Sequence, residues 1–70
     1  MYRDKVKLIL LAIRNKRREL GYTQAEVAAK LGIRQNTYSK IERNDIRFTV
    51  DIFLMICEIL GMEPDELLSK

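Results

Sequence analysis

The sequence predicts an all-α protein that consists of five short helices. Apolar residues recur at spacings of three and four, and no segment alternates convincingly with the period of two that is typical of a strand. Residues that commonly begin or end helices, among them three glycines and one proline, separate the apolar segments. A chain of 70 residues with no internal repeat and no low-complexity tract is expected to form one domain over residues 1–70.

The first predicted helix extends from about Asp4 to Leu20, and Gly21 ends it. Residues spaced by three and four give this helix one inward-facing side, which consists of Val6, Ile9, Ile13, Arg17 and Leu20. The pattern predicts a helix that packs against the rest of the protein along that side.

The second predicted helix begins with the sequence TQAE, which is typical of a capping box. The hydroxyl of Thr23 can accept a hydrogen bond from the amide of Glu26, and the carboxylate of Glu26 can accept one from the amide of Thr23. The inward-facing residues that follow are Val27, Ala28 and Leu31. Gly32 ends the helix, and Ile33 is expected to pack into the turn.

The third predicted helix extends from about Gln35 to Arg43. Tyr38 and Ile41 point toward the core, and Asn44 can adopt the left-handed conformation that ends a helix. The opposite side is polar and consists of Gln35, Asn36, Ser39, Lys40 and Arg43. Amides and hydroxyls concentrated on one side of a helix indicate a surface that contacts another molecule.

The fourth predicted helix follows Thr49, a plausible N-cap, and ends at Leu60 before Gly61. Phe48 and Phe53 are positioned to form a hydrophobic staple. The core-facing side consists of Phe53, Ile56, Cys57 and Leu60. A second apolar side consists of Ile52, Met55 and Ile59, and a helix that is apolar on two sides is expected to be buried on both.

The fifth predicted helix is short and begins at Pro64, because proline fits the first position of a helix. Asp65 and Glu66 follow it, where negative charge favours the positive end of the helix dipole.

The charge is divided unevenly along the chain. Residues 1–47 carry 12 Lys and Arg against 5 Asp and Glu, whereas residues 48–70 carry 1 against 5. A basic first part indicates a polyanionic partner, and solvated surface charge is the other interpretation.

Enzyme and metal chemistry are not expected. The chain has no histidine, no phosphate-cradling glycine loop and one cysteine, Cys57, so we predict no catalytic residue, no metal site and no cofactor. A single cysteine suits a reducing compartment, and the longest apolar run, LILLAI, is too short to span a bilayer. The sequence therefore favours a cytoplasmic protein without a membrane partner.

Three segments resemble the phage repressor/Cro-type family of five-helix DNA-binding domains. They are TQAEVAAKLGI, YSKIER and LGMEPDELL, and the resemblance covers roughly residues 9–68. It implies a repressor-like bundle in which the second and third helices form a helix-turn-helix. Double-stranded DNA is then the expected partner, and most small domains of this type repress transcription by occupying promoter DNA.

The resemblance also implies roles for individual residues. The residues expected to face base edges in the major groove are Gln35, Asn36, Ser39 and Lys40. The residues expected at DNA phosphates are Thr23, Gln24, Arg34, Thr37, Arg43 and Arg47. Arg17 and Glu42 match a pair that forms a partly buried salt bridge in many members. Arg34 and Glu63 replace the Ser-type caps that are frequent there, so weaker caps are expected.

The second apolar side of the fourth helix has more than one possible partner. Ile52, Met55 and Ile59 are expected to form a homodimer contact, because two domains on a two-fold axis read two half-sites. They could instead pack against Leu8 and Leu11 of the first helix. A third interpretation is a protein-interaction module, such as the antitoxin of a toxin–antitoxin pair, with a heterologous partner on this side.

Overall fold

Five α-helices follow one another in the computed structural model, which describes residues 2–69, with side chains from residue 4 onward. Met1 and Lys70, the ends of the predicted domain, lie outside the described residues. The helices are α1 (Tyr2–Glu19), α2 (Gln24–Leu31), α3 (Gln35–Glu42), α4 (Val50–Leu60) and α5 (Pro64–Leu68). The all-α prediction is confirmed over the described part of the chain, in which no strand occurs.

α1 differs from the prediction at both ends. It begins at Tyr2 rather than Asp4, and it ends at Glu19, so that Leu20 lies in the turn before Gly21. Leu20 was predicted on the inward-facing side, but 46 % of it is exposed because the chain has already left the helix there. Leu10 is buried instead, since α1 packs against α3, α4 and α5 and therefore buries a wider side than one stripe.

Caps at both ends define α2. The hydroxyl of Thr23 accepts from the Glu26 amide at 3.1 Å, and the Glu26 carboxylate accepts from the Thr23 amide at 2.9 Å. The hydrogen bond from the Thr23 amide is the main reason why the pKa of Glu26 is lowered. Gly32 follows the helix with a φ of 75°, so the turn into α3 uses the left-handed conformation.

α3 and α4 begin differently. Arg34 precedes α3 without a side-chain cap, whereas the hydroxyl of Thr49 caps α4 by accepting from the Ile52 amide at 3.2 Å. α3 ends at Glu42, one residue earlier than predicted, and Asn44 then has a φ of 62°. These local ends give α3 only eight residues, about two helical turns.

Aromatic contact and a proline define the ends of the last two helices. The rings of Phe48 and Phe53 meet edge to face with centroids 5.7 Å apart, as the predicted staple requires. Pro64 occupies the first turn of α5, and Glu63 before it makes no side-chain cap. Within residues 2–69, no helix combines the length and hydropathy needed to cross a membrane.

All five helices contribute to one core. Its largest fully buried side chains are Ile13, Val27, Tyr38, Ile56 and Cys57. Burial also raises the pKa of the Cys57 thiol, which favours the neutral, unreactive form. The core fixes α2 against α3 and α1 against α3, and thereby orients the polar side of α3.

Candidate nucleic-acid interface

α3 divides into a buried side and an accessible side. Tyr38 and Ile41 are 0 % and 3 % exposed, respectively, so they fix the helix to the core. Gln35 and Asn36 lie in the first turn and are exposed. Their amides therefore reach the surface from a helix whose opposite side cannot move without disrupting the core.

The remaining residues predicted to face bases lie one turn further along α3. Ser39 and Lys40 are half-buried, and Lys40 is in the last turn of the helix. The structure thus places all four predicted base-reading residues on α3, with the two amide side chains more accessible than the hydroxyl and the ammonium.

A buried polar network connects the helices beneath this surface. Arg17 donates to Glu42 through Nε at 2.8 Å and through Nη2 at 3.2 Å. The Tyr38 hydroxyl donates to the same carboxylate at 2.6 Å, and the Gln24 amide donates to it at 3.0 Å. The Glu42 network, meaning Arg17, Gln24, Tyr38 and Glu42, therefore joins α1, α2 and α3.

The ionisation of the Glu42 network follows from its geometry. The side chains of Arg17 and Glu42 are only 8 % and 2 % exposed. Burial by itself raises the pKa of Glu42, but the hydrogen bonds from Arg17, Tyr38 and Gln24 outweigh it and lower the pKa. The hydrogen bond to Glu42 raises the pKa of Arg17, and burial raises that of the Tyr38 phenol. At neutral pH, Arg17 and Glu42 are therefore both charged, and the Tyr38 phenol is neutral.

Gln24 has a partner within the protein. The residue was predicted to bind a DNA phosphate, and the structure shows its side-chain nitrogen donating to Glu42. An amide nitrogen carries two hydrogens, so one donor remains for a second acceptor. Glu42 therefore fixes the orientation of the Gln24 amide at the first turn of α2.

The other predicted phosphate-binding residues surround α3. Thr23 is exposed at the N-terminus of α2, and Arg34 is exposed just before α3. Thr37 is half-buried in α3. Arg43 is exposed and its Nε lies 3.0 Å from Asp45 Oδ2. Arg47 is exposed in the connection to α4.

Two further cationic side chains lie beside this surface, and the sequence pattern did not identify them as part of it. Arg14 and Arg18 of α1 line one hollow together with Gln24 and Arg43. Their spacing of four residues, on either side of Arg17, was the signal that could have identified them. Their proximity to α3 depends on how α1 packs, which that spacing does not reveal.

The described residues hold no group of three or more side chains suited to a metal ion. An open groove of ≈ 490 Å³ lies between α1 and α5, and acidic residues, Lys16 and Asn15 line part of it.

The architecture and the surface of α3 agree with a comparison to protein families. A helix-turn-helix family model matches residues 13–67. The chain therefore belongs to the helix-turn-helix family of the phage repressor/Cro type. At the level of the family it is a DNA-binding transcriptional regulator, and the family is not an enzyme family. Comparisons with curated proteins and with solved structures gave no match.

Proposed function

We propose that this protein binds a specific sequence of double-stranded DNA as a homodimer and represses transcription there. The observation that carries the proposal is the division of α3, which fixes Tyr38 and Ile41 in the core and presents Gln35 and Asn36 to solvent. A major groove about 12 Å wide admits one α-helix, and α3 presents two exposed amides in its first turn. We propose no catalytic role and no cofactor.

Base reading follows from the chemistry of the exposed side chains. An Asn or Gln amide donates and accepts at the same time, which matches the adjacent acceptor and donor on adenine. Lys40 offers a cation to the O6 and N7 acceptors of guanine, and Ser39 can contribute a hydroxyl. We therefore assign base contacts to Gln35, Asn36, Ser39 and Lys40.

We assign phosphate binding to the residues predicted for it, which are Thr23, Gln24, Arg34, Thr37, Arg43 and Arg47. Arg43 shows how such a contact can form, because its pair with Asp45 has 59 % and 56 % of the two side chains exposed. An exposed ion pair stabilises a protein by only about 0–1 kcal/mol, so a phosphate can replace the carboxylate at little cost. Cations of this kind add affinity without sequence preference.

The homodimer is proposed from α4. Met55 is 41 % exposed, while Ile52 and Ile59 are half-buried beside it. Leu8 and Leu11 are 59 % and 49 % exposed, so these two side chains are not buried against α4. A single recognition helix reads too few base pairs for a genome with roughly 10⁶–10⁹ competing sites, and a second copy doubles the sequence that is read.

A binding selection from a random duplex library tests this function. We expect an inverted repeat with half-sites about one helical turn apart, or 10–10.5 base pairs. A single short site would retain DNA binding and contradict the homodimer. No enrichment at low salt would contradict DNA binding altogether.

The exposed apolar residues of α4 also support a second candidate, the antitoxin of a toxin–antitoxin pair. Met55 and its neighbours would then contact a heterologous protein rather than a second copy. Expression together with the neighbouring genes distinguishes the two, because an antitoxin should co-purify with one stoichiometric partner.

A further inference from the structure

Two exposed arginines of α1 lie beside the proposed DNA-binding helices. Arg14 and Arg18 are separated by one helical turn and therefore share a side of α1. The hollow that they line also contains Gln24 and Arg43, which are both assigned to phosphates, and the Arg17–Glu42 ion pair, whose charges offset each other. The proposed interface is thus continuous with this part of α1.

The charge of Arg14 and Arg18 is uncompensated. Within residues 4–69, neither guanidinium forms an ion pair, whereas Arg17 between them is paired with buried Glu42. An exposed guanidinium attracts anions, and its planar donors fit a phosphate through two hydrogen bonds. The hollow therefore presents two available cations next to the proposed DNA surface.

The size of the hollow indicates which kind of anion it suits. Its volume is ≈ 180 Å³, below the roughly 300–1,000 Å³ of pockets that enclose small molecules. Four residues of an α-helix rise about 6 Å, so the two guanidiniums can reach separate groups on an extended polyanion. A nucleic-acid backbone, which lies across a surface rather than inside it, matches both properties.

We propose that Arg14 and Arg18 bind DNA phosphates and extend the contact surface from α2 and α3 onto α1. This inference rests on the proposed function, since it requires that the protein binds DNA. With these contacts, α1 becomes the third helix that touches the DNA phosphates. It reads no bases. The extra contacts increase affinity for every sequence alike.

The salt dependence of DNA binding tests the inference. Arg14→Gln and Arg18→Gln are combined, and binding to the selected site and to random duplex is measured over a range of salt concentrations. Each phosphate contact contributes about 0.9 to the slope of log K against log salt, so we expect the slope to fall by about 1.8. The ratio between selected and random DNA should not change.

A control variant removes the same charge elsewhere. Lys16 lines the groove between α1 and α5, and Lys5, about three helical turns earlier, lies on the same side of α1, so Lys16→Gln with Lys5→Gln should leave the slope nearly unchanged. Equal changes in both double variants would attribute the effect to net charge and overturn the inference. An unchanged slope in the arginine variant, with normal wild-type binding, would also overturn it. Absence of wild-type binding would instead overturn the proposed function.

Discussion

Glu42 accepts hydrogen bonds from side chains of three helices, α1, α2 and its own helix α3. Arg17, Gln24 and Tyr38 each direct a donor at this one carboxylate, and its side chain is 2 % exposed. Removing one partner of a buried pair leaves an uncompensated charge, which costs about 3–5 kcal/mol. The charge of Glu42 therefore adds to the core packing that holds α1, α2 and α3 together.

Acid should weaken this contribution. Because the folded-state pKa of Glu42 is below the ordinary value of 4.5, its stabilising effect is complete above that pH and is lost as the pH falls through the folded-state pKa. The difference in unfolding free energy between wild type and Glu42→Gln should thus be large at about pH 7 and shrink below about pH 4. Urea denaturation over this range measures it.

Glu58→Gln is the matched control, because Glu58 is exposed on α4. Its stability relative to wild type should vary little over the same range. A difference between wild type and Glu42→Gln that stays constant down to about pH 3 would show that the Glu42 carboxylate is not stabilised by its partners.

Asn36→Ala should alter sequence preference. The substitution removes one exposed amide from α3 and no buried contact, so the fold should be retained. Binding to the selected site should weaken by about 1–3 kcal/mol, with random DNA nearly unaffected. Arg43→Ala is the comparison, since loss of a phosphate contact weakens binding to both DNAs. Equal losses on both DNAs from Asn36→Ala would exclude base reading by Asn36.

At the scale of the element, the starts of α2 and α4 were predictable because their caps are local. Thr23 and Glu26 contact each other, and Thr49 caps the helix that follows it. A few neighbouring residues are therefore enough to predict where these two helices begin. The burial of Leu10 and the exposure of Leu20 were not predictable in this way. They depend on which helices α1 meets and on where the chain leaves it.

The turn between α2 and α3 gives a prediction at this scale. Gly32 has a φ of 75°, and an added Cβ would meet no atom within 4 Å. Gly32→Ala should therefore destabilise the protein by about 1–2 kcal/mol through backbone strain alone. Thermal unfolding measures the loss, and Gly32→Asn should lose less because asparagine tolerates this conformation. Equal losses in the two variants would contradict strain as the cause.

At the scale of the whole molecule, the hollow lined by arginines and the exposed apolar residues of α4 are separated. The basic residues Arg14, Arg18 and Arg43 lie together around α1 and the end of α3. The exposed apolar residues of α4 lie apart from this hollow, and Met55 lies near the end of α2. The imbalance of charge along the chain predicts a polyanionic partner. Which basic residues of α1 lie beside α3 depends on how the two helices pack, and the charge pattern does not reveal this.

The proposed homodimer is tested on α4. Met55→Lys places a charge among Ile52 and Ile59 and should shift the protein from dimer to monomer in sedimentation at micromolar concentration. Leu54→Lys is the matched control, because Leu54 is 48 % exposed on the opposite flank of the same helix. It should remain dimeric. A monomeric wild type, or dissociation by Leu54→Lys alone, would contradict the proposed interface.

The two sides of α3 also bear on how a new operator could be acquired. The residues that hold the helix, Tyr38, Ile41 and Glu42, differ from those proposed to read bases, although both sets share eight consecutive positions. Selection can therefore exchange Gln35, Asn36 and Lys40 without repacking the interior. A library randomised at these surface positions should yield folded regulators with altered targets, so the same scaffold can serve many promoters.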